Sequence, residues 1–103
     1  MTRALRFSAW ALEQLEEALA YIAADDPEAA AAMADRIERR LTNLERFPHA
    51  GRVVPELGDP ARREIIVVPY RIIYRADSDE IRILAVIHGR RRLEGALPGD
   101  AEE

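Results

Sequence analysis

The side chains with the clearest chemical capacity lie in the last third of the sequence. His88 carries an imidazole able to give and take protons, and Arg90, Arg91 and Arg92 follow it closely. Cleavage of an RNA phosphodiester by its own 2′-hydroxyl needs a base, an acid and a cation at the phosphate. His88 is the candidate base, with Arg90 and its neighbours close by in the chain. Arg71, Arg75 and Arg82 are candidate guanidiniums for the phosphate, and Tyr74 is a candidate platform for a base. Strand alternation works against that set, because it places Tyr74 opposite Arg71 and Arg75.

The same stretch suits a chemistry without an acid–base pair. Planar guanidiniums grip carboxylates at two points and stack, so His88, Arg90, Arg91 and Arg92 also fit recognition of a protein surface. The plainer readings are a strand-end histidine bonded to backbone and a solvated charge run. His49 reads as a turn residue and Arg52 as a bridge between loop and sheet. Trp10 and Phe47 read as core anchors or helix-end packing. Glu13, Glu16 and Glu17 form a solvated helix face without the histidine partners of a metal site. With no cysteine there is no disulfide, thiolate catalysis or Cys-based zinc site. No cofactor and no metal are expected.

The elements that must position these residues follow from hydrophobic spacing. Residues 2–7 alternate loosely and predict a short strand. Ser8 is placed to cap a helix over 9–24, with Leu12, Leu15, Leu19 and Ile22 as its apolar stripe. Asp26 caps a second helix with Pro27 in its first turn, where a missing N–H costs nothing. Ala30, Met33, Ile37, Leu41 and Leu44 form its stripe, and it ends near Phe47, before Pro48. The short connection makes the pair an antiparallel hairpin. A loop rich in Gly and Pro follows to about residue 60. Strands are then expected over 63–68, 70–76 and 81–88, with Asp77-Ser78-Asp79-Glu80 as the last hairpin turn and Pro69 at a strand end or bulge. The fold class is α+β, in the order β-α-α-β-β-β, with a small antiparallel sheet covered on one face by the helix hairpin. A single domain over 1–92 is expected, followed by a flexible acidic tail over 93–103.

Charge narrows the function classes. All 15 basic residues are arginine, and the net charge is −4. Residues 1–51 carry a net −3, residues 52–92 a net +3 and residues 93–103 a net −4. This pattern permits one local anionic partner and argues against direct, broad adsorption to nucleic acid. No run is long enough for a membrane span, and the first residues lack the apolar core of a signal peptide, so a cytoplasmic location is expected.

Strict alternation sorts the last two strands into faces. Tyr70, Ile72 and Tyr74 point one way; Arg71, Ile73 and Arg75 point the other. On the next strand Ile81, Ile83, Ala85 and Ile87 oppose Arg82, Leu84, Val86 and His88. A helix hairpin covers only one face of a small sheet. The other, half apolar and half arginine, is expected to be open and to meet a partner.

Taken together, Leu19-Ala20-Tyr21-Ile22, Asp26-Pro27-Glu28-Ala29-Ala30, Pro48-His49-Ala50-Gly51-Arg52, Pro55-Glu56-Leu57, Arg63, Val68 through Tyr74 and Ile83 through Arg91 resemble the RelE/ParE toxins of bacterial type II toxin–antitoxin pairs. The resemblance spans nearly the whole chain. It implies a cognate antitoxin (ParD-like or related) whose C-terminal segment wraps the toxin in a hetero-oligomer. The residues expected to meet it are Leu12, Leu19 and Ile37 on the hairpin and Arg71, Ile73, Leu84 and Val86 on the sheet. RelE-like members are ribosome-dependent endoribonucleases, and ParE-like members poison DNA gyrase by protein contact. The absence of lysine, the acidic net charge and the absence of aromatics after Tyr74 favour the ParE-like branch. His88, Arg90, Arg91 and Arg92 are then the expected gyrase contacts. The nuclease alternative rests on Arg71, His88 and Arg90. A third possibility is a member that only binds its partner.

Overall fold

A computed structural model describes residues 3–89. Ser8 breaks from an extended backbone into the first helix, and its Oγ accepts the Ala11 N–H at 3.0 Å. Helix α1 (Ala9–Asp25) ends where Asp26 caps helix α2 (Pro27–Arg46), its carboxylate accepting the N–H groups of Glu28 and Ala29. One residue therefore terminates one helix and starts the next, which forces the hairpin. Both caps and both helices match the expectation from sequence to within a residue.

The strands are β1 (Ala4–Phe7), β2 (Arg52–Val53), β3 (Arg62–Val67), β4 (Tyr70–Ala76) and β5 (Glu80–His88). Their spatial order is β1-β5-β4-β3-β2 in one sheet. Two features differ from the expected all-antiparallel sheet of four strands. The first strand runs parallel to the last, Leu5 opposite Ile81 and Phe7 opposite Ile83. The two-residue β2 adds an edge, with Arg52 opposite Glu64. The chain enters α1 directly from β1 and returns to its side only 76 residues later, so pairing with β5 completes a crossover rather than a hairpin. Gln14 closes the gap where β1 stops: its Oε1 accepts the Val86 N–H at 2.7 Å.

A bulge decides which side chains face which layer. The β4–β5 register shifts between Ile73 and Tyr74, which pair with Ala85 and Ile83 and leave Leu84 as the extra residue. The phase of β5 flips there. Ile81, Ile83 and Val86 join the helix-side core with Ile72, Tyr74, Ile65 and the α2 stripe. Leu84, Ala85 and Ile87 join Ile73 and Val54 on the other side. Strict alternation had put Ala85 and Ile87 with Ile81, and Val86 with Leu84; one extra residue reverses both assignments.

Candidate functional site

The sheet face expected to be open is closed within the chain. Ile73 and Leu84 are fully buried, with Val54, Leu57 and Trp10 packed around them. The cover comes from the loop after β2. There the N–H groups of Leu57 and Gly58 both bond the Val54 carbonyl, and Gly58 takes the left-handed φ of +62° that favours glycine. Arg71 is held just as firmly. Its Nη1 and Nη2 meet the Glu56 carboxylate at 2.8 Å, and its Nε and Nη2 meet Glu64 Oε1 at 2.8 and 2.6 Å. Arg52 takes the other Glu64 oxygen at 2.6 Å, which makes it the loop-to-sheet bridge. The Glu56 hydrogen bonds, and then those of Glu64, hold the Arg71 guanidinium above its ordinary pKa despite burial. Arg71, Ile73 and Leu84 thus complete the molecule's own interior, and Val86 lies under the helices.

Of the nuclease alternative's residues, Arg71 and His88 do not converge. His88 is exposed at the end of β5, edge-on to Tyr70 with ring centroids 6.0 Å apart. It pairs with Tyr70, so Arg71, the next residue on β4, points to the opposite face. Tyr74 is no base platform. Its buried hydroxyl donates to the Pro48 carbonyl at 2.8 Å and accepts the Gly51 N–H at 3.0 Å. Burial, opposed by that Gly51 bond, pushes the phenol pKa upward. A Cβ on Gly51 would come within 2.8 Å of this ring and 2.6 Å of the Glu64 carbonyl, so the tight turn requires glycine. Phe47 is exposed beside the Arg46 guanidinium rather than a core anchor, while Trp10 is half-buried. Arg90, Arg91, Arg92 and the acidic tail lie outside the described residues. Among those described, no group of three or more His, Asp or Glu could hold a metal, and no helix is long and apolar enough to cross a membrane.

What the structure leaves open is a groove on the helix side, beside the edge strand β1. Leu5 and Phe7 form one wall, Leu15 and Leu19 of α1 another, and Ile37 and Leu41 of α2 the floor. Glu38 and Glu45 stand on its rim, and its volume is about 400 Å³. Leu19 and Ile37 were expected at an interface, and the fold brings them together. Leu12 is 44% exposed but lies outside this groove. Leu5, Phe7, Leu15 and Leu41 were not expected at an interface, because their spacing is the same one that builds a core. The signal for them is the shortness of β1, which spans only four residues and cannot seal a hairpin of 17- and 20-residue helices. Such a groove fits one apolar stripe of a helix or an extended segment.

Comparison with known proteins agrees with this architecture. A Sinorhizobium fredii protein, Y4kP, whose name marks it as an inferred toxin, is 36% identical over 94 residues, 85% of this chain and 90% of that one. Toxin ParE3 of Caulobacter vibrioides is 34% identical over 68 residues, covering 66% of this chain and 67% of its own length. A solved structure titled as the chromosomal ParDE TA system from P. aeruginosa superposes with a TM-score of 0.68. It covers 84% of this chain and 96% of that one at 20% identity, which speaks for the fold. Residues 5–93 match the family described as the ParE toxin of type II toxin–antitoxin system, parDE, and the chain therefore belongs to the ParE family of type II toxins.

Proposed function

We propose that this toxin arrests growth by binding DNA gyrase and that a ParD-like antitoxin neutralises it from the helix-side groove. The family match over residues 5–93 carries the first half. The divergence of Arg71 and His88 to opposite sheet faces supports a binding mode over strand scission, since base and phosphate ligand cannot meet one substrate from opposite sides. The groove supports the second half. An amphipathic antitoxin segment would bury aliphatic side chains against Leu15, Leu19 and Ile37, and basic residues at its flanks would meet Glu38 and Glu45.

The test combines purified toxin, gyrase and supercoiled plasmid. The expected result is loss of supercoiling with a trapped cleavage complex, reversed by the product of the adjacent antitoxin gene. Unimpaired gyrase beside codon-positioned mRNA cuts would replace this reading with the nuclease one. Leu19→Arg, at the half-buried groove wall, is expected to leave the fold intact and weaken antitoxin binding by about 2 kcal/mol or more, measured by calorimetry. An unchanged affinity would move the antitoxin elsewhere.

A further inference from the structure

Helix α2 has a second outward side. Arg36, Arg39 and Arg40 project from it at helical spacing, away by helical phase from Ile37 and Leu41 of the groove. All three are exposed, and none is ion-paired with a described residue. Several arginines on the sheet are ion-paired: Arg6 with Glu80, Arg52 with Glu64, Arg71 with Glu56 and Arg75 with Asp77. The three line a shallow concavity of about 530 Å³ with Ile66, Val67 and Val68. Ile66 is 39% exposed and Val68 74%, so the concavity has an apolar side.

The strand edge explains why this place is unfinished. On β3 the Arg62 carbonyl bonds outward to Val54, so by antiparallel alternation Glu64 and Ile66 also turn their backbone groups outward. The strand β2 pairs no further along than Glu64. The outward Ile66 carbonyl is instead taken by Arg40 Nη1 at 2.9 Å. That bond pins one guanidinium against the apolar edge; beside it Arg36 donates through Nη2 to Met33 Sδ at 3.4 Å, and Arg39 is exposed.

We propose that Arg36, Arg39 and Arg40 with Ile66 and Val68 form a second protein-docking surface, fitted to an acidic polypeptide segment that carries aliphatic side chains. Charge complementarity selects the acidic partner, because three guanidiniums within about one helical turn, without a carboxylate partner among the described residues, attract carboxylates. The aliphatic pair selects polypeptide over nucleic acid, because a phosphate backbone gains nothing from Ile66 and Val68. The overall charge of −4 also opposes a nucleic-acid partner. Since the surface lies across α2 from the groove, both can be occupied together. This rests on the antitoxin reading only in the claim of joint occupancy.

The experiment uses the isolated chain and its antitoxin complex, with two labelled probes followed by fluorescence anisotropy: a short peptide alternating Glu and Leu, and a short DNA duplex. The peptide is expected to bind both forms, and R36E/R39E/R40E to weaken it by about tenfold or more. Ile66→Ser with Val68→Ser is expected to weaken it by roughly threefold while circular dichroism stays unchanged. Peptide affinity indifferent to charge reversal overturns the proposal, and so does tighter binding of the duplex than of the peptide at equal salt. Release of the antitoxin by the triple substitution would show that the patch belongs to the first interface, overturning the second one. Loss of antitoxin binding in Leu19→Arg with peptide binding retained separates the two surfaces.

Discussion

The helix-covered face of the sheet and the face beneath the 54–58 turn are equally dry, Ile72 and Ile73 being alike inaccessible, yet they are closed by different means. The first is sealed by two capped helices whose apolar stripes supply Met33, Ile37, Leu41 and Leu44. The second has only a small cluster around Val54, Ile73 and Leu84, and beside it a chain of charges running Arg52–Glu64–Arg71–Glu56. The lesson is that a loop too small to exclude water by area alone is tied down by paired carboxylates and guanidiniums. Apolar burial is nondirectional, whereas a forked guanidinium between two carboxylates specifies where the loop must sit.

The charge-tied face is most vulnerable at Glu64, whose carboxylate is fully buried between two arginines. Glu64→Gln leaves Arg71 short of charge in a dry site, and a loss of about 3–5 kcal/mol is expected in urea unfolding. Replacing Glu64 and Arg71 together by apolar residues of similar volume should recover much of it. If the single substitution costs nothing, the charges are incidental and the two faces are alike. Next come Ile72→Ala and Ile73→Ala, neighbours on β4 facing opposite layers. Each is expected to cost about 2–5 kcal/mol by the cavity it leaves. A much smaller loss at Ile73 would show that the loop follows the vacated volume where the helices do not.

A smaller effect is expected at Tyr74, whose hydroxyl ties the turn at Pro48 and Gly51 to the helix-side core. Tyr74→Phe should cost about 1–2 kcal/mol. It should also alter the alkaline limb of stability. The phenol has a folded pKa raised above its ordinary 10.0, so the unfolded chain loses this proton first. The stability tied to the neutral phenol is present in full below about pH 10 and declines as pH rises through the folded value. The phenylalanine variant should lack that part of the decline in denaturation series run at increasing pH.

Much of the hairpin was legible because its determinants are local. Ser8, Asp26 and Pro27 act on N–H groups within three residues, and the apolar stripes need only helical geometry. Part of the groove was legible for the same reason, since Leu19 and Ile37 lie on those stripes. The sheet faces were not. The bulge at Leu84 inverts the phase of Val86 and Ile87, and nothing in the unbroken apolar run over 83–87 marks which residue will be skipped. The closure of the Arg71 face was hidden too, because Arg71 meets carboxylates 7 and 15 residues away, on a strand and in a loop.

By itself the order of residues determined the helices, their caps, the four longer strands and the membership of a toxin family, since each depends on neighbours in the chain or on ordered motifs. The tertiary structure decided the parallel pairing of β1 with β5, which sheet face is sealed and where an apolar groove stays open. Those outcomes depend on backbone groups and charges brought together across long stretches of chain, and such pairings are selected by packing rather than by sequence spacing.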